Sequence, residues 1–330
     1  MISLYPLVKN ETLKILKKKR FLVVILVLAV LIPIFTYAQM RQAQNTAKQL
    51  GTRDWQVAIQ GQITDYTNRL SSARVPEEWK RYMRVSIQQL QYYLDHDVDP
   101  NSPNGVTFAI GFMGNAVSLF IPLLVMAIAS DLVSSERSTG TIKMLLTRPV
   151  RRWKILMSKL ITLTLFVSLI VLSTAVLSYL ISGSVFGYGG WTMPVFTGFQ
   201  INGSEVDTSY VNVVDQWVYI IMQMGLVWFS SMAVACLALM VSVLIRSTAA
   251  SIVIMMATLI AGTILSALAS SWESAKYLFM VNLVLTDYLK GTIPPIPGMT
   301  LSFSLIVLAV WALGAVLISF RVFTKQDILS

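Results

Sequence analysis

The segment DLVSSERSTGTIKMLLTRPVRRWKILMSK forms residues 131–159 and separates two strongly apolar runs. Seven of its 29 residues are Lys or Arg, and apolar residues are interleaved with them. A connection between neighbouring helices needs only about two to eight residues. A chain that only had to turn around at a membrane surface would not need this segment. Its length and its basic, amphipathic character predict that a partner in the cytoplasm binds it; the alternative is an ordinary basic loop.

The composition around this segment is that of an integral membrane protein. The chain has 330 residues, of which 55% are hydrophobic and 13% charged, and its mean hydropathy is +0.66. Soluble globular proteins are about 25% charged. The single cysteine, Cys236, and the single histidine, His96, exclude an internal disulfide, a cysteine zinc site and a histidine-based triad within one chain. We therefore predict no catalytic residues and no metal site.

Six apolar stretches are long enough for a bilayer core, which requires about 20 residues in a helix. They cover residues 21–38, 106–130, 160–182, 217–245, 249–270 and 301–323. The predicted fold class is an all-α integral membrane protein, with a six-helix transmembrane domain over residues 21–330. The first stretch also resembles a signal peptide, but its 18 residues exceed the usual apolar core of about 7–15 residues, so we expect a retained anchor.

The distribution of basic residues predicts the orientation. Sixteen Lys or Arg fall in the N-terminal tail, the 131–159 segment, the turn at Arg246 and the C-terminal end, whereas the short loops on the other face hold only Lys276 and Lys290. Cytoplasmic loops of membrane proteins are enriched in Lys and Arg, but this rule applies to short loops and not to long ones such as 39–105. Both termini are therefore expected in the cytoplasm. The net charge of +10 is explained in this way, and no nucleic-acid-binding motif accompanies it.

Three further regions outside the spans have their own patterns. Residues 1–20 contain a cationic amphipathic pattern that predicts a cytoplasmic interfacial helix in contact with membrane lipids; the alternative is a frayed, charged tail. Residues 39–105 predict an extracellular helical hairpin, with a break over Ser71–Pro76 and a new helix that has Pro76 at its first position, followed by Glu77. The apolar but short runs within 271–300 predict a re-entrant or interfacial helix, which ends at Pro294.

No chemistry for energy conversion is visible in the chain. It has no glycine-rich phosphate loop of the G-x-x-x-x-G-K-[ST] type, and no acidic or basic residue interrupts the spans except Arg321 near one end. Ion-coupled carriers usually keep ionisable residues at membrane depth. The candidate translocation path consists of the central polar residues, although the pattern favours an interhelical hydrogen-bonding role over a substrate contact for each of them: Asn115, Ser118, Gln223 and Thr258. Energy for transport is therefore expected from another subunit.

The 131–159 segment is similar to the signature loop of ABC-2 type permeases. The similarity is carried by Glu136-x-x-x-Gly140-Thr-Ile-x-x-Leu145-Leu-Thr-x-Pro149-Val-x-Arg152-x-x-Ile155 and by Lys159. Ser158 stands where many members have glycine. These permeases are membrane subunits of bacterial ABC exporters whose ATPase is usually a separate chain. The resemblance also implies an N-terminal interfacial helix, six spans and short re-entrant helices between the last two.

The resemblance implies partners and roles. Two ABC ATPase subunits would bind ATP and Mg, so this chain would be no enzyme and would hold no cofactor itself. A second permease chain, identical or homologous, would complete the pore in the bacterial plasma membrane. The cytoplasmic coupling segment would contact the ATPase, with Glu136 and Arg137 as polar anchors and Leu145 and Leu146 as packing residues. The full set of expected coupling residues is Glu136, Arg137, Gly140, Thr141, Leu145, Leu146, Pro149, Arg152 and Lys159.

Two other functions remain open from the sequence. The chain could be a membrane sensor or scaffold subunit whose extracellular insert binds a ligand and signals inward without translocation. It could also be an ion-coupled carrier, which the uncharged spans disfavour. The sequence does not identify the cargo, the role of the 39–105 insert, or whether the permease pair is a homodimer or a heterodimer.

Overall fold

The long apolar runs form long helices. The computed structural model describes residues 4–50, 54–73, 75–100, 102–141, 150–202, 204–268 and 272–325. The first two helices are α1 (Leu4–Lys17) and α2 (Arg20–Leu50), and they are separated by a sharp turn in which Lys19 has a φ of 53°. Helix α2 continues beyond the apolar run at residue 38, because residues 39–50 are mostly good helix formers such as Gln and Ala.

The insert after α2 forms two helices, α3 (Trp55–Leu70) and α4 (Glu77–Asp95), which pack against each other. Asp54 caps α3 by accepting a hydrogen bond from the backbone N–H of Gln56. Pro76 occupies the N-cap of α4 and lies just before the first helical residue.

The second apolar run forms two helices, not one. They are α5 (Gly105–Ala116) and α6 (Phe120–Ala129), and the bend between α5 and the stretch Phe120–Ser138 is 64°. Pro122 explains the break: it has no N–H to donate to the carbonyl of Ser118, and its ring crowds that carbonyl. The Ser118 hydroxyl donates to the carbonyl of Asn115 at the same point. A short helix, α7 (Ser134–Ser138), follows.

The remaining long helices are α8 (Arg152–Phe186), α9 (Gln216–Leu244), α10 (Thr248–Leu268) and α12 (Leu301–Lys325). Helix α9 lies in the centre and packs against α5, α6, α8 and α12. In its most apolar stretch 67% of the residues are buried, compared with 22% in α2, α10 and α12. Among the described residues, five helices are long and apolar enough to cross a membrane, or six if the bent α5–α6 pair counts as one span.

The loop between α8 and α9 contains strands that the sequence analysis did not predict. Strands β1 (Pro194–Thr197) and β4 (Asn212–Asp215) pair antiparallel, as do β2 (Gln200–Asn202) and β3 (Glu205–Asp207). Gly198 turns the chain between the two ladders with a φ of +90°. Helix α4 rests on this loop: Gln88 accepts from the backbone N–H of Val206 at 2.8 Å, and Tyr93 packs against Phe196.

Between α10 and α12 the chain forms only short elements. Two 3₁₀ turns cover Glu273–Tyr277 and Phe279–Asn282, and one helical turn, α11, covers Asp287–Lys290. This region, the strands and α4 lie together at one end of the bundle, because Gln89 of α4 donates to the carbonyl of Gly291 at 2.9 Å. We call it the α4 end. Helix α1, the start of α8 and the last turn of α12 lie at the opposite end, the α1 end, where Arg152 donates to the carbonyl of Thr324.

Candidate functional site

Four charged side chains form a compact cluster at the α1 end, at the base of the 131–159 segment. Glu11 and Lys14 come from α1, Glu136 from α7 and Lys159 from α8. Nζ of Lys14 lies 2.7 Å from Glu11 and 2.8 Å from Glu136. Nζ of Lys159 lies 2.7 Å from Glu11 and 2.9 Å from Glu136. Each lysine thus bridges both carboxylates, and this ion cluster joins three elements that are far apart in the sequence.

The ion cluster is largely removed from solvent. The side chain of Lys159 has no exposed surface, and those of Glu11 and Glu136 are 5% and 10% exposed. Two positive and two negative charges balance, which is the condition under which charges can be buried at a tolerable cost. Burial by itself lowers the pKa of Lys14, but the charges of Glu136 and Glu11 outweigh it and hold that pKa above its ordinary value.

Local sequence positions each member of the ion cluster. Glu11 and Lys14 are three residues apart on α1 and therefore share one helical face. Helix α7 is fixed by Ser242 of α9, whose hydroxyl accepts from the backbone N–H groups of Val133 and Ser134 at 3.1 and 3.0 Å. These are the N–H groups that a helix start leaves without an internal partner.

A second group of charges lies beside the ion cluster. The carboxylate of Asp131 is buried and binds Lys18 at 3.1 Å and Arg20 at 2.8 Å. Lys18 also donates to the hydroxyl of Ser135. The turn between α1 and α2 is therefore bound to the start of the segment, as α1 itself is bound through Glu11. The C-terminal half of α1 and the turn after it are both tied to the segment that the sequence analysis singled out.

The structure divides the predicted coupling residues into two groups. Glu136 and Lys159 lie inside the ion cluster, where they contact this chain's own residues. Arg137 is partly buried, Arg152 contacts the end of α12, and Gly140 and Thr141 are exposed. Gly140 follows the C-cap of α7 and has a φ of +72°, a conformation that commonly ends a helix. Leu145, Leu146 and Pro149 lie outside the described residues.

The four residues of the candidate translocation path are not brought together as one site. Gln223 is fully buried and donates to the carbonyl of Ile110 at 2.9 Å. Asn115 is exposed, and Ser118 is partly buried at the break between α5 and α6. The hydroxyl of Thr258 donates to Ile254 within its own helix. Of the four, Gln223 is the one that lies inside the bundle.

Sequence reasoning missed the partners of Glu136 and Lys159. Glu11 was visible as an acid that interrupts the apolar stripe of a basic helix, which is the one signal that could have marked it. Among the described residues no group of three or more His, Cys, Asp or Glu side chains is placed to hold a metal ion. The ion cluster can have a mechanical role, because its ion pairs hold α1, α7 and α8 together at the base of the segment.

The fold and its apolar helices define a mostly helical membrane protein. The family described as "Protein of unknown function (DUF2705)" matches residues 80–329, and the chain belongs to this family. It is 28% identical to "Uncharacterized protein YhcI" of Bacillus subtilis (strain 168) over 324 residues, which cover 98% of each chain. It is 30% identical to "Uncharacterized membrane protein YdbK" of the same organism over 223 residues, or 66% of this chain and 83% of that relative.

Proposed function

We propose that this protein is the permease subunit of an ABC exporter of the ABC-2 type. In this proposal it forms the translocation path with a second permease chain, and two separate ATPase subunits bind ATP and drive it. The motif between Glu136 and Lys159 supports the assignment. The observation that carries it is the ion cluster, because its ion pairs connect the base of the coupling segment to α1 and α8, helices that would have to move.

The proposed mechanism follows from that connection. The part of the coupling segment that begins at Gly140 would contact the ATPase, and ATP-driven closure of the ATPases would displace it. Glu136 would pass the displacement to Lys159 of α8 and, through Lys14, to α1. Because Lys159, Glu11 and Glu136 are largely buried and each lysine binds both carboxylates, these groups resist separation better than exposed ion pairs do. Helix α8 would then move relative to the central helix α9, which would change access to the path.

The proposal includes a topology in the bacterial plasma membrane. The bent α5–α6 pair counts as one span, which gives six, and both termini lie in the cytoplasm. The α1 end is then cytoplasmic, as its many Lys and Arg residues support, and the α4 end is extracellular. Large apolar side chains on α2, α10 and α12 are exposed, and these helices would face lipid or the second permease chain.

The proposal is tested by capture of the ATPase. The tagged chain is purified from its native host in a mild detergent, and the co-purified proteins are tested for ATP hydrolysis. We expect wild type to retain an ATPase and Leu145→Asp to lose it, because a charge would enter an apolar contact. Val57→Asp is the matched control, since Val57 is an exposed apolar residue of α3. If wild type captures no ATPase, or if Leu145→Asp captures as much as Val57→Asp, the proposal fails.

One observation favours the alternative of a sensor or scaffold subunit. Helix α4 of the insert is bonded directly to the carbonyl of Gly291 beside α11, so a ligand on the insert would have a physical route into the bundle. Reconstituted vesicles separate the two functions. Ligand-stimulated ATP hydrolysis without flux would indicate a sensor, whereas flux that depends on ATP would indicate an exporter.

A further inference from the structure

A groove of about 480 Å³ runs along the outer face of α8. Its lining residues recur at intervals of mostly three or four positions and therefore share one face of the helix. They are Ile161, Thr164, Leu165, Ser168, Leu169 and Leu172. Ile161, Leu165, Ser168 and Leu172 are exposed, so the groove is open along its length to a molecule from outside the chain. Its volume falls within the range of about 300–1,000 Å³ that is common for small-molecule sites.

The polar hydrogens of the groove already have partners. The hydroxyl of Thr164 donates to the carbonyl of Leu160 at 3.0 Å, and the hydroxyl of Ser168 donates to the carbonyl of Thr164 at 2.9 Å. Nε1 of Trp228 donates to the hydroxyl of Ser168 at 2.9 Å, so α9 lies along one side of the groove. Because these donors are paired, an apolar occupant would leave none of them without a hydrogen bond.

The length of the groove matches one leaflet of a lipid bilayer. Leu172 follows Ile161 by eleven residues, which is about 16 Å along a helix axis. Half of the hydrocarbon core of a bilayer is about 15 Å thick. Helix α8 is among the helices that are long and apolar enough to cross a membrane. The groove therefore has the dimensions and the position to hold one acyl chain that lies along the helix.

Basic side chains lie beyond the end of the groove that is nearer the α1 end. Lys154 precedes Ile161 by seven residues, or two turns, so it lies on the same helical face and about 10 Å further along the axis. Its ammonium group lies 5.8 Å from the centroid of the Trp153 ring, and tryptophan is enriched at membrane–water interfaces. Arg151 is exposed three residues before Lys154. Two cations thus lie where a headgroup would be if its acyl chain occupied the groove.

We propose that this groove binds a phospholipid with an anionic headgroup from the leaflet at the α1 end. One acyl chain lies along residues 161–172, and Arg151 and Lys154 bind the phosphate. The aliphatic lining selects a hydrocarbon chain, and the two cations select a negatively charged headgroup. The inference goes beyond the exporter proposal and needs only that α8 crosses the membrane.

Native mass spectrometry of the purified, delipidated full chain in a non-ionic detergent tests the site. The probes are phosphatidylglycerol and phosphatidylcholine with the same acyl chains. We expect the first phosphatidylglycerol to bind at least about tenfold more tightly than the first phosphatidylcholine, because its headgroup keeps a net negative charge for charge-assisted hydrogen bonds. The double variant Arg151→Gln with Lys154→Gln should lose most of this preference. The matched control is Arg69→Gln with Lys276→Gln, which removes the same charge from two ion pairs elsewhere in the chain.

Leu165→Trp tests the groove without a change of charge. The larger side chain would occupy part of the space of the acyl chain. We expect the first phosphatidylglycerol to bind at least about fivefold more weakly, which corresponds to the loss of roughly two buried methylene groups. Val176→Trp is the matched control, since Val176 is similarly exposed on α8 but does not line the groove.

Weaker binding in both test variants supports the site, provided that both controls bind as wild type does and all variants elute alike in size-exclusion chromatography. Equal affinity of wild type for the two lipids, or a test variant that binds like its control, overturns it. The same spectra report the oligomeric state. A dimer that Leu165→Trp converts to a monomer, with lipid binding unchanged, would mean that a second copy of the chain covers the groove, and this would also overturn the proposal. No ATPase takes part in this assay, so ATPase capture remains an independent test of the exporter proposal.

Discussion

Lys159 is a residue whose burial is explained by its contacts. An ammonium group has three hydrogens to donate. In Lys159 they face Glu11 at 2.7 Å, Glu136 at 2.9 Å and the carbonyl of Leu132 at 2.8 Å. A lysine with no exposed surface is tolerable only when its charge and its hydrogens are all matched in this way. The same contacts make Lys159 the member of the ion cluster on which the other charges depend most.

Replacing Lys159 by methionine tests this dependence. Lys159→Met keeps the length of the side chain but leaves Glu11 and Glu136 with Lys14 as their single cation. We expect the free energy of unfolding to fall by about 3–5 kcal/mol, the usual cost of breaking a buried ion pair. Unfolding of the purified chain in detergent measures it.

The control for this prediction is Lys9→Met, because Lys9 lies exposed on the same helix α1. It should change the free energy of unfolding by less than about 0.5 kcal/mol. If the two variants are equally stable, the ion cluster does not hold α1, α7 and α8 together, and the proposed mechanical connection loses its basis.

At the scale of elements, the α4 end is built around the short helix α11. A four-residue helix has no stability of its own. Its C-terminal cap is Gly291, which has a φ of 66° and a ψ of 39°, and whose carbonyl accepts from Gln89 of α4. Phe199 of the α8–α9 loop lies against Gly291 so closely that a Cβ on residue 291 would overlap it. The insert and the strands therefore hold α11 beside α5 and α9.

Gly291→Ala should loosen this element. Alanine adopts the left-handed conformation at a cost of roughly 1–2 kcal/mol, and its methyl group would also collide with Phe199. We expect amides of residues 284–292 to exchange hydrogen at least about fivefold faster, in line with that loss of local stability. Hydrogen–deuterium exchange with mass spectrometry measures the rates.

Gly225→Ala is the comparison for this change. Gly225 lies in α9 with open space around it, so alanine is easily accommodated. Exchange in residues 284–292 should remain as in wild type. Equal exchange in the two variants would mean that α11 is held by contacts other than its cap.

For the whole molecule, the arrangement of the two ends decides how the chain sits in a membrane. Charges gather at the α1 end, and the insert, the strands and α11 gather at the α4 end. A helical membrane protein must satisfy every backbone group internally where it crosses the bilayer. In the proposed topology the break between α5 and α6 lies in the bilayer, and helices α8 and α9 pack against both α5 and α6.

Cysteine labelling tests the proposed orientation. The natural Cys236 is buried, and Cys236→Ala provides a cysteine-free background. In intact bacteria a membrane-impermeant maleimide should label Ala73→Cys, which lies in the α3–α4 turn, but not Thr139→Cys beside α7. Permeabilised cells should label both, since both positions are exposed. Labelling of Thr139→Cys alone in intact cells would reverse the orientation.

The sequence predicted those features of the structure that depend on a single element. The apolar runs located the long helices to within a few residues, apart from the extended ends of α2 and α8, because hydrophobic length and helix propensity are local properties. The bend at Pro122 was not predicted, although proline is a known helix breaker, because Pro122 lies within an apolar run long enough to be taken for one continuous helix. The β-strands were also missed, since three- and four-residue strands have little pattern of their own.

The sequence by itself determined that this chain is apolar, mostly helical and rich in basic residues around one segment. Only the tertiary structure decided that Glu136 pairs with Lys14 and Lys159. The physical reason is that charge pairing across a bundle depends on which helix faces meet. Which helix faces meet depends on the packing of the whole molecule, and local sequence patterns do not reveal it.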